Sequence, residues 1–96
     1  MDELIWLMEW YNSRCNSGWE HQFGIHLTTI DNPGWHLTVN LEETALESCP
    51  FERVEQIGET SWWQCWTQDK EFLAACGPRD LPAVLGVFRK WAESAA

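Results

Sequence analysis

Apolar residues recur at helical spacing at both ends of this chain and alternate with polar ones in its middle. Over residues 2–15, Leu4, Leu7, Met8, Tyr11 and Cys15 fall on one face of a helix. Trp6 and Trp10 add a second stripe four residues apart, so this helix is apolar on more than one side. Asp2 and Glu3 suit the positive end of its dipole, and Asn16-Ser17-Gly18 ends it. At the other end, residues 81–94 read as a second helix, with Leu81, Val84, Leu85, Phe88 and Trp91 on one side. Asp80 is placed to cap it, Pro82 fits its first turn, and Arg89 and Lys90 suit its C-terminal part.

Between the helices the period changes to two. Phe23, Ile25 and Leu27 alternate with Gly24, His26 and Thr28, and Trp35, Leu37, Val39 and Leu41 alternate with His36, Thr38 and Asn40. Asp31-Asn32-Pro33-Gly34 between them is a dense turn signal, so the two segments form a β-hairpin. Pairing Ile30 with Trp35 would mix apolar and polar side chains on each face. Shifting by one residue pairs Thr29 with Trp35, Leu27 with Leu37, Ile25 with Val39 and Phe23 with Leu41. One face is then apolar and the other polar, as a half-buried sheet requires. This register predicts a loop over Ile30 to Gly34, or a bulge with the same effect.

Three further strands are expected near residues 51–57, 61–68 and 71–76. Gly58-Glu59-Thr60 separates the first two and Gln68-Asp69-Lys70 the last two. The expected fold is α+β: a five-stranded antiparallel β-meander, flanked in sequence by an N-terminal and a C-terminal helix packed on one face, a two-layer sandwich. Residues 1–96 are expected to form a single domain. Trp62-Trp63-Gln64-Cys65-Trp66 places indoles on both faces of its strand, whichever one is inward.

Charge narrows the classes of partner. The chain carries 15 acids against two Lys and four Arg, a formal net charge of −9. Nucleic acid and anionic membrane surfaces are poor partners for it, and a basic protein is a better one. Glu42, Glu43, Glu47, Glu52, Glu55 and Glu59 crowd residues 42–59 against Arg53 alone, a candidate docking surface for such a partner. The eight tryptophans are read mainly as core, with exposed ones as binding anchors, Trp63 among them. The start Met1-Asp2-Glu3-Leu4 is acidic where a secretion signal is positive, which suggests a cytoplasmic chain with its four cysteines reduced.

Three local features carry candidate chemistry. His26 and His36 become diagonal neighbours on the polar face of the hairpin, a partner-binding face or, with a third ligand such as His21, a metal or ligand site. Cys76-Gly77-Pro78-Arg79 lies between a strand and a helix, where a thiol of sulfurtransferase type could be activated. Trp19-Glu20-His21 holds an adjacent acid and imidazole, but neighbours in an extended chain point apart, so a tryptophan anchor leading into the hairpin is the simpler reading.

Taken together, Trp10-Tyr11, Trp19-Glu20-His21 with Gly24, and Asp31-Asn32-Pro33-Gly34-Trp35 resemble the immunity protein 53 family of bacterial polymorphic toxin systems. Thr44, Pro50-Phe51-Glu52-Arg53-Val54, Trp66, Gly77 and Trp91 continue the resemblance along almost the whole chain. It implies an α+β immunity protein, encoded beside a toxin, that binds the toxin domain in the producer's cytoplasm and blocks it. It implies neither enzyme activity nor a cofactor.

Overall fold

The computed structural model describes residues 2–95. Along the chain come α1 (Asp2–Arg14), α2 (Trp19–Gln22), β1 (Ile25–Ile30), β2 (Gly34–Asn40), β3 (Val54–Ile57), β4 (Trp62–Gln68), β5 (Glu71–Cys76) and α3 (Leu81–Ala95). Among the described residues, no helix is long and apolar enough to cross a membrane.

The strands form one antiparallel sheet in the order β1-β2-β5-β4-β3. The α+β class, the five antiparallel strands and the two terminal helices agree with the sequence reading; the meander order does not. β2 pairs with β5 instead of β3, and residues 41–53 carry the chain to the far edge. Side-chain character explains the order. β5 is buried or half-buried at every position, which suits the centre of a sheet. β3 reads Val-Glu-Gln-Ile, and three of its four residues are exposed, which suits an edge.

The hairpin register is the expected one, with Thr29 opposite Trp35, Leu27 opposite Leu37 and Ile25 opposite Val39. Pairing runs one step further, to Ile30 and Gly34, so the loop shrinks to Asp31-Asn32-Pro33. The β4–β5 turn is shorter still. Asp69 and Lys70 both have positive φ, 52° and 63°, as a two-residue type I′ turn requires.

Residues directly opposite each other share a face. Leu37, Val39, Cys65, Phe72, Ala74 and Cys76 therefore all point to the helix side, where they meet Leu7, Val84, Leu85 and Phe88 in one buried cluster. α3 lies over β4 and β5, and α1 packs alongside α3. Leu7 is the only member of the expected α1 face that is buried; Leu4, Met8 and Tyr11 are exposed. The packed side is instead Trp6, Leu7 and Trp10. Both indoles set their edges against Phe88, with ring centroids 5.8 Å and 5.2 Å away. Burying two indoles removes more apolar area from water than burying Leu4 and Met8 would.

Three indole N–H groups tie connecting segments to this frame. Trp19 donates to the Glu42 carbonyl at 2.8 Å, Trp35 to Pro78 at 3.0 Å and Trp91 to Pro50 at 3.0 Å. Two of these bonds hold the long 41–53 connection, which has no regular structure of its own. Phe51 adds to them by seating its ring against Phe72 and Trp91, with centroids 5.4 Å and 5.0 Å away. This explains why β3 begins at Val54 and not at residue 51: Phe51 is turned into the core.

Candidate functional site

The acidic run is split by the fold. Glu42 and Glu47 gather around Lys70, with carboxylate oxygens 3.7 Å and 3.2 Å from its Nζ. Glu47 also accepts the backbone N–H of Glu43. Lys70 sits in the β4–β5 turn, whereas Glu59 belongs to the β3–β4 turn at the opposite end of the strands, roughly 20 Å of β4 away. Glu55, on β3, stands 3.7 Å from Arg53, and Glu52 is exposed. The structure thus brings Glu42, Glu43 and Glu47 together, partly neutralised, and sets Glu59 apart from them.

Two carboxylates have fixed structural duties. Glu20 accepts the N–H groups of Asn16 and Ser17, both at 2.9 Å. Its own backbone N–H, then that of Asn16, holds its carboxyl below the usual carboxylate range. Glu47 is held low first by its hydrogen bond from Lys70, then by the N–H of Glu43. A carboxylate whose pKa is lowered on folding stabilises the fold above its unfolded value, near 4.5, and loses that contribution as pH falls through the folded value. The melting temperature is therefore expected to hold from pH 8 to 6 and to fall below about pH 4.5. Glu20→Gln should flatten that acid limb in thermal melts, and an unchanged limb would contradict this assignment.

Glu20 is thus tied to the α1–α2 turn, and Trp19 beside it is buried and bonded to Glu42. The Trp19-Glu20-His21 segment is an anchor leading into the hairpin. His21 is exposed on α2, the short helix that the sequence reading did not anticipate. His26 pairs with Thr38 and His36 with Thr28, as expected, on the sheet face away from the helices. Among the described residues, no group of three or more His, Cys, Asp or Glu side chains is placed to hold a metal ion.

Trp63, a candidate anchor, is half-buried. It lies opposite Cys76, on the helix side, and packs against the core. Trp62 and Trp66 take the other face, and the Arg53 guanidinium lies over the Trp66 ring at 5.3 Å from its centroid. The alternation of β4 made two such faces legible but gave no means of choosing between them.

Cys76 is buried, and burial, reinforced by the charge of Asp80, pushes its thiol up to about 11. Cys65 is pushed up to about 12, again chiefly by burial. Nucleophilic thiols need the opposite shift. Asp80 takes the capping position of α3, and its carboxylate accepts the Ser61 hydroxyl at 2.5 Å and the Trp62 N–H at 3.1 Å. All four cysteines are free thiols, and Cys15 and Cys49 are half-exposed. A water-soluble disulfide reagent should therefore modify Cys15 and Cys49 in the folded protein, and Cys65 and Cys76 only after denaturant is added. Fast modification of all four under native conditions would contradict this.

One surface was not visible in the sequence. A groove of about 400 Å³ runs between α1 and the start of the hairpin, lined by Leu7, Met8, Tyr11, Phe23, Ile25 and His26 together with Gly24. It exists because α1 turns its indoles towards α3 and leaves the Met8 and Tyr11 side uncovered. The helical spacing of Leu4, Met8 and Tyr11 marked the stripe correctly, but as core.

The family model for immunity protein 53 matches residues 4–93. The chain belongs to the immunity protein 53 family. No curated protein and no solved structure matches it.

In this immunity protein 53 chain, the residues that carry the family resemblance mostly hold the frame. Trp19, Trp35 and Trp91 donate the three indole hydrogen bonds, and Pro50 accepts one of them. Thr44 Oγ1 donates to the Leu41 carbonyl at 2.7 Å and accepts the Leu46 N–H, shaping the turn after β2. A Cβ at Gly77 would lie 2.6 Å from the Asp80 carboxylate, so Asp80, which is bonded to Ser61 and Trp62, would have to shift. Met8 and Leu27, on the groove side, lie outside that set.

Proposed function

We propose that this protein is the immunity partner of a bacterial toxin, binding the toxin domain in the producer's cytoplasm and neutralising it by occlusion, without catalysis or a cofactor. The observation that carries this reading is the immunity protein 53 match across residues 4–93. The net charge of −9 supports a basic toxin, because complementary fields speed encounter and disfavour wrong partners. Glu42, Glu43, Glu47, Glu52, Glu55 and Glu59 supply much of that field, with His26 and His36 on the open sheet face as further contacts. If the toxin is a nuclease, its phosphate-binding cleft is the natural target of those carboxylates. Raised thiol pKa values at Cys65 and Cys76 fit a role in binding better than one in thiol chemistry.

The test is co-expression with the toxin encoded by the neighbouring gene. Restored growth and a complex on size exclusion are expected. Unchanged toxicity with no complex would overturn the proposal.

A further inference from the structure

We infer that the free edge of β1, with the groove beside it, is where the toxin docks, by laying an extended segment along β1 as a sixth strand. The inference rests on the immunity reading above and names the surface and the partner's chemistry.

Four observations converge on this edge. First, the sheet has two edges, and they differ. β3 is four residues long, contains Glu55, and follows directly on Glu52 and Arg53; charges of this kind discourage strand addition. β1 is six residues of Ile-His-Leu-Thr-Thr-Ile, with no Lys, Arg, Asp, Glu or Pro and no buried position.

Second, the hydrogen-bond phase is fixed. The Asn40 N–H donates to the Gly24 carbonyl at 3.0 Å, and the Leu41 N–H donates to Lys70 on the other side at 2.9 Å. Bonded and non-bonded pairs alternate in an antiparallel ladder. The pairs that bond across β1 and β2 are thus His26 with Thr38 and Thr28 with His36. The N–H and C=O groups of Ile25, Leu27 and Thr29 point away from β2, to the open edge. Extended backbone is the ligand that satisfies such a row.

Third, the side chains of Ile25, Leu27 and Thr29 share the face of Leu37 and Val39, which at this edge opens into the groove. Alternate side chains of an added strand would enter it. Fourth, three exposed large apolar side chains gather here: Met8 and Tyr11 line the groove, and Leu27 lies on β1 itself. Met8 is 61% exposed and Leu27 40%. Clustered exposure of this kind marks an interaction surface.

The occupant follows from charge. No Lys or Arg lines the groove, and the chain carries −9. A second copy, itself at −9, would approach against net repulsion. The fitting segment is extended, apolar at alternate positions and flanked by Lys or Arg.

The experiment measures binding of an inactivated form of the toxin domain encoded by the neighbouring gene. Two variants probe the edge. Thr29→Pro removes an outward N–H and leaves the β1–β2 ladder intact. Met8→Glu puts a charge into the groove from an exposed position, so its folding is not at risk. Each is expected to raise Kd at least tenfold, while Lys90→Gln, at an exposed position on α3, leaves it within about twofold. Hydrogen exchange on the wild-type complex should slow the Leu27 and Thr29 amides at least tenfold relative to the free protein. Wild-type binding with Met8→Glu unaffected and no protection at Leu27 and Thr29 would overturn the inference while leaving the immunity reading intact. Protection of those amides in the free protein, rising with its concentration, would place a second copy there and overturn it as well. Absence of any wild-type binding would overturn the immunity reading, and this inference with it.

Discussion

Phe88→Ala is expected to lower the stability of the domain by about 3–5 kcal/mol, the usual range for emptying a buried aromatic site. Phe88 is fully buried, and four rings surround it: Phe72 at 4.9 Å, Trp10 at 5.2 Å, Trp6 at 5.8 Å and Trp91 at 6.2 Å between centroids. It is where α1, α3 and the sheet meet. Its loss leaves a cavity and also removes the surface against which α1 is seated. Rings of this size do not collapse inward easily, because Trp91 is tethered to Pro50 through its N–H. A domain of about this length has total stability on the order of 5–15 kcal/mol. The variant is therefore expected to melt roughly 20 °C lower, at about 4–8 °C per kcal/mol, and α1 should loosen first. Tryptophan fluorescence and near-ultraviolet circular dichroism during thermal unfolding would measure it. Ile57→Ala, at a side chain 68% exposed, is the matched control and should change stability by under about 0.5 kcal/mol. A Phe88→Ala loss below about 1 kcal/mol would mean that Phe88 is not the junction of α1, α3 and the sheet.

The same junction shows where the sequence was legible and where it was not. Val84, Leu85 and Phe88 stood out because α3 has a single apolar face, so the spacing had one solution. The β1–β2 register was equally determined, since a one-residue slip would mix its faces. α1 had two apolar stripes, and only the tertiary partner decides between them: Phe88 offers its ring to Trp6 and Trp10, and Met8 and Tyr11 are left at the surface. The sheet order failed for a related reason. Strand spacing along the chain suggests a meander, but burial demand places apolar β5 in the centre and polar β3 at the edge. The candidate site inherits both ambiguities. The groove is made of residues whose sequence pattern says core, and the acidic run, continuous in sequence, is divided by the length of β4. The face of Trp63 was not legible because alternation defines two faces without labelling either one.

Gly34→Ala is expected to be among the most damaging small substitutions in the chain, although it adds one methyl group. Gly34 is buried at the start of β2, where the strand crosses close to the end of β5. A Cβ there would lie 2.1 Å from the Cys76 carbonyl oxygen and 3.2 Å from its carbon, with the Trp62 ring at 3.4 Å. The obstacle is backbone and cannot rotate aside, so β2 and β5 would have to separate at this end. That movement would also pull Trp35 from Pro78 and disturb the Gly77–Asp80 turn that starts α3. Overpacking in a tight site typically costs about 1–3 kcal/mol and sometimes more; here the upper end, about 3 kcal/mol, is expected. Gly24→Ala supplies the comparison, because nothing lies within 4 Å of the Cβ that would be added. It should fold normally, with stability changed by less than about 1 kcal/mol. Paired denaturant titrations of the two variants would separate the effects. Equal stabilities would show that the β2–β5 approach can relax. A large loss confined to Gly34 would explain by packing alone why glycine stands in the Asp31–Trp35 motif, and would leave the β1 edge beyond that turn free to serve the partner.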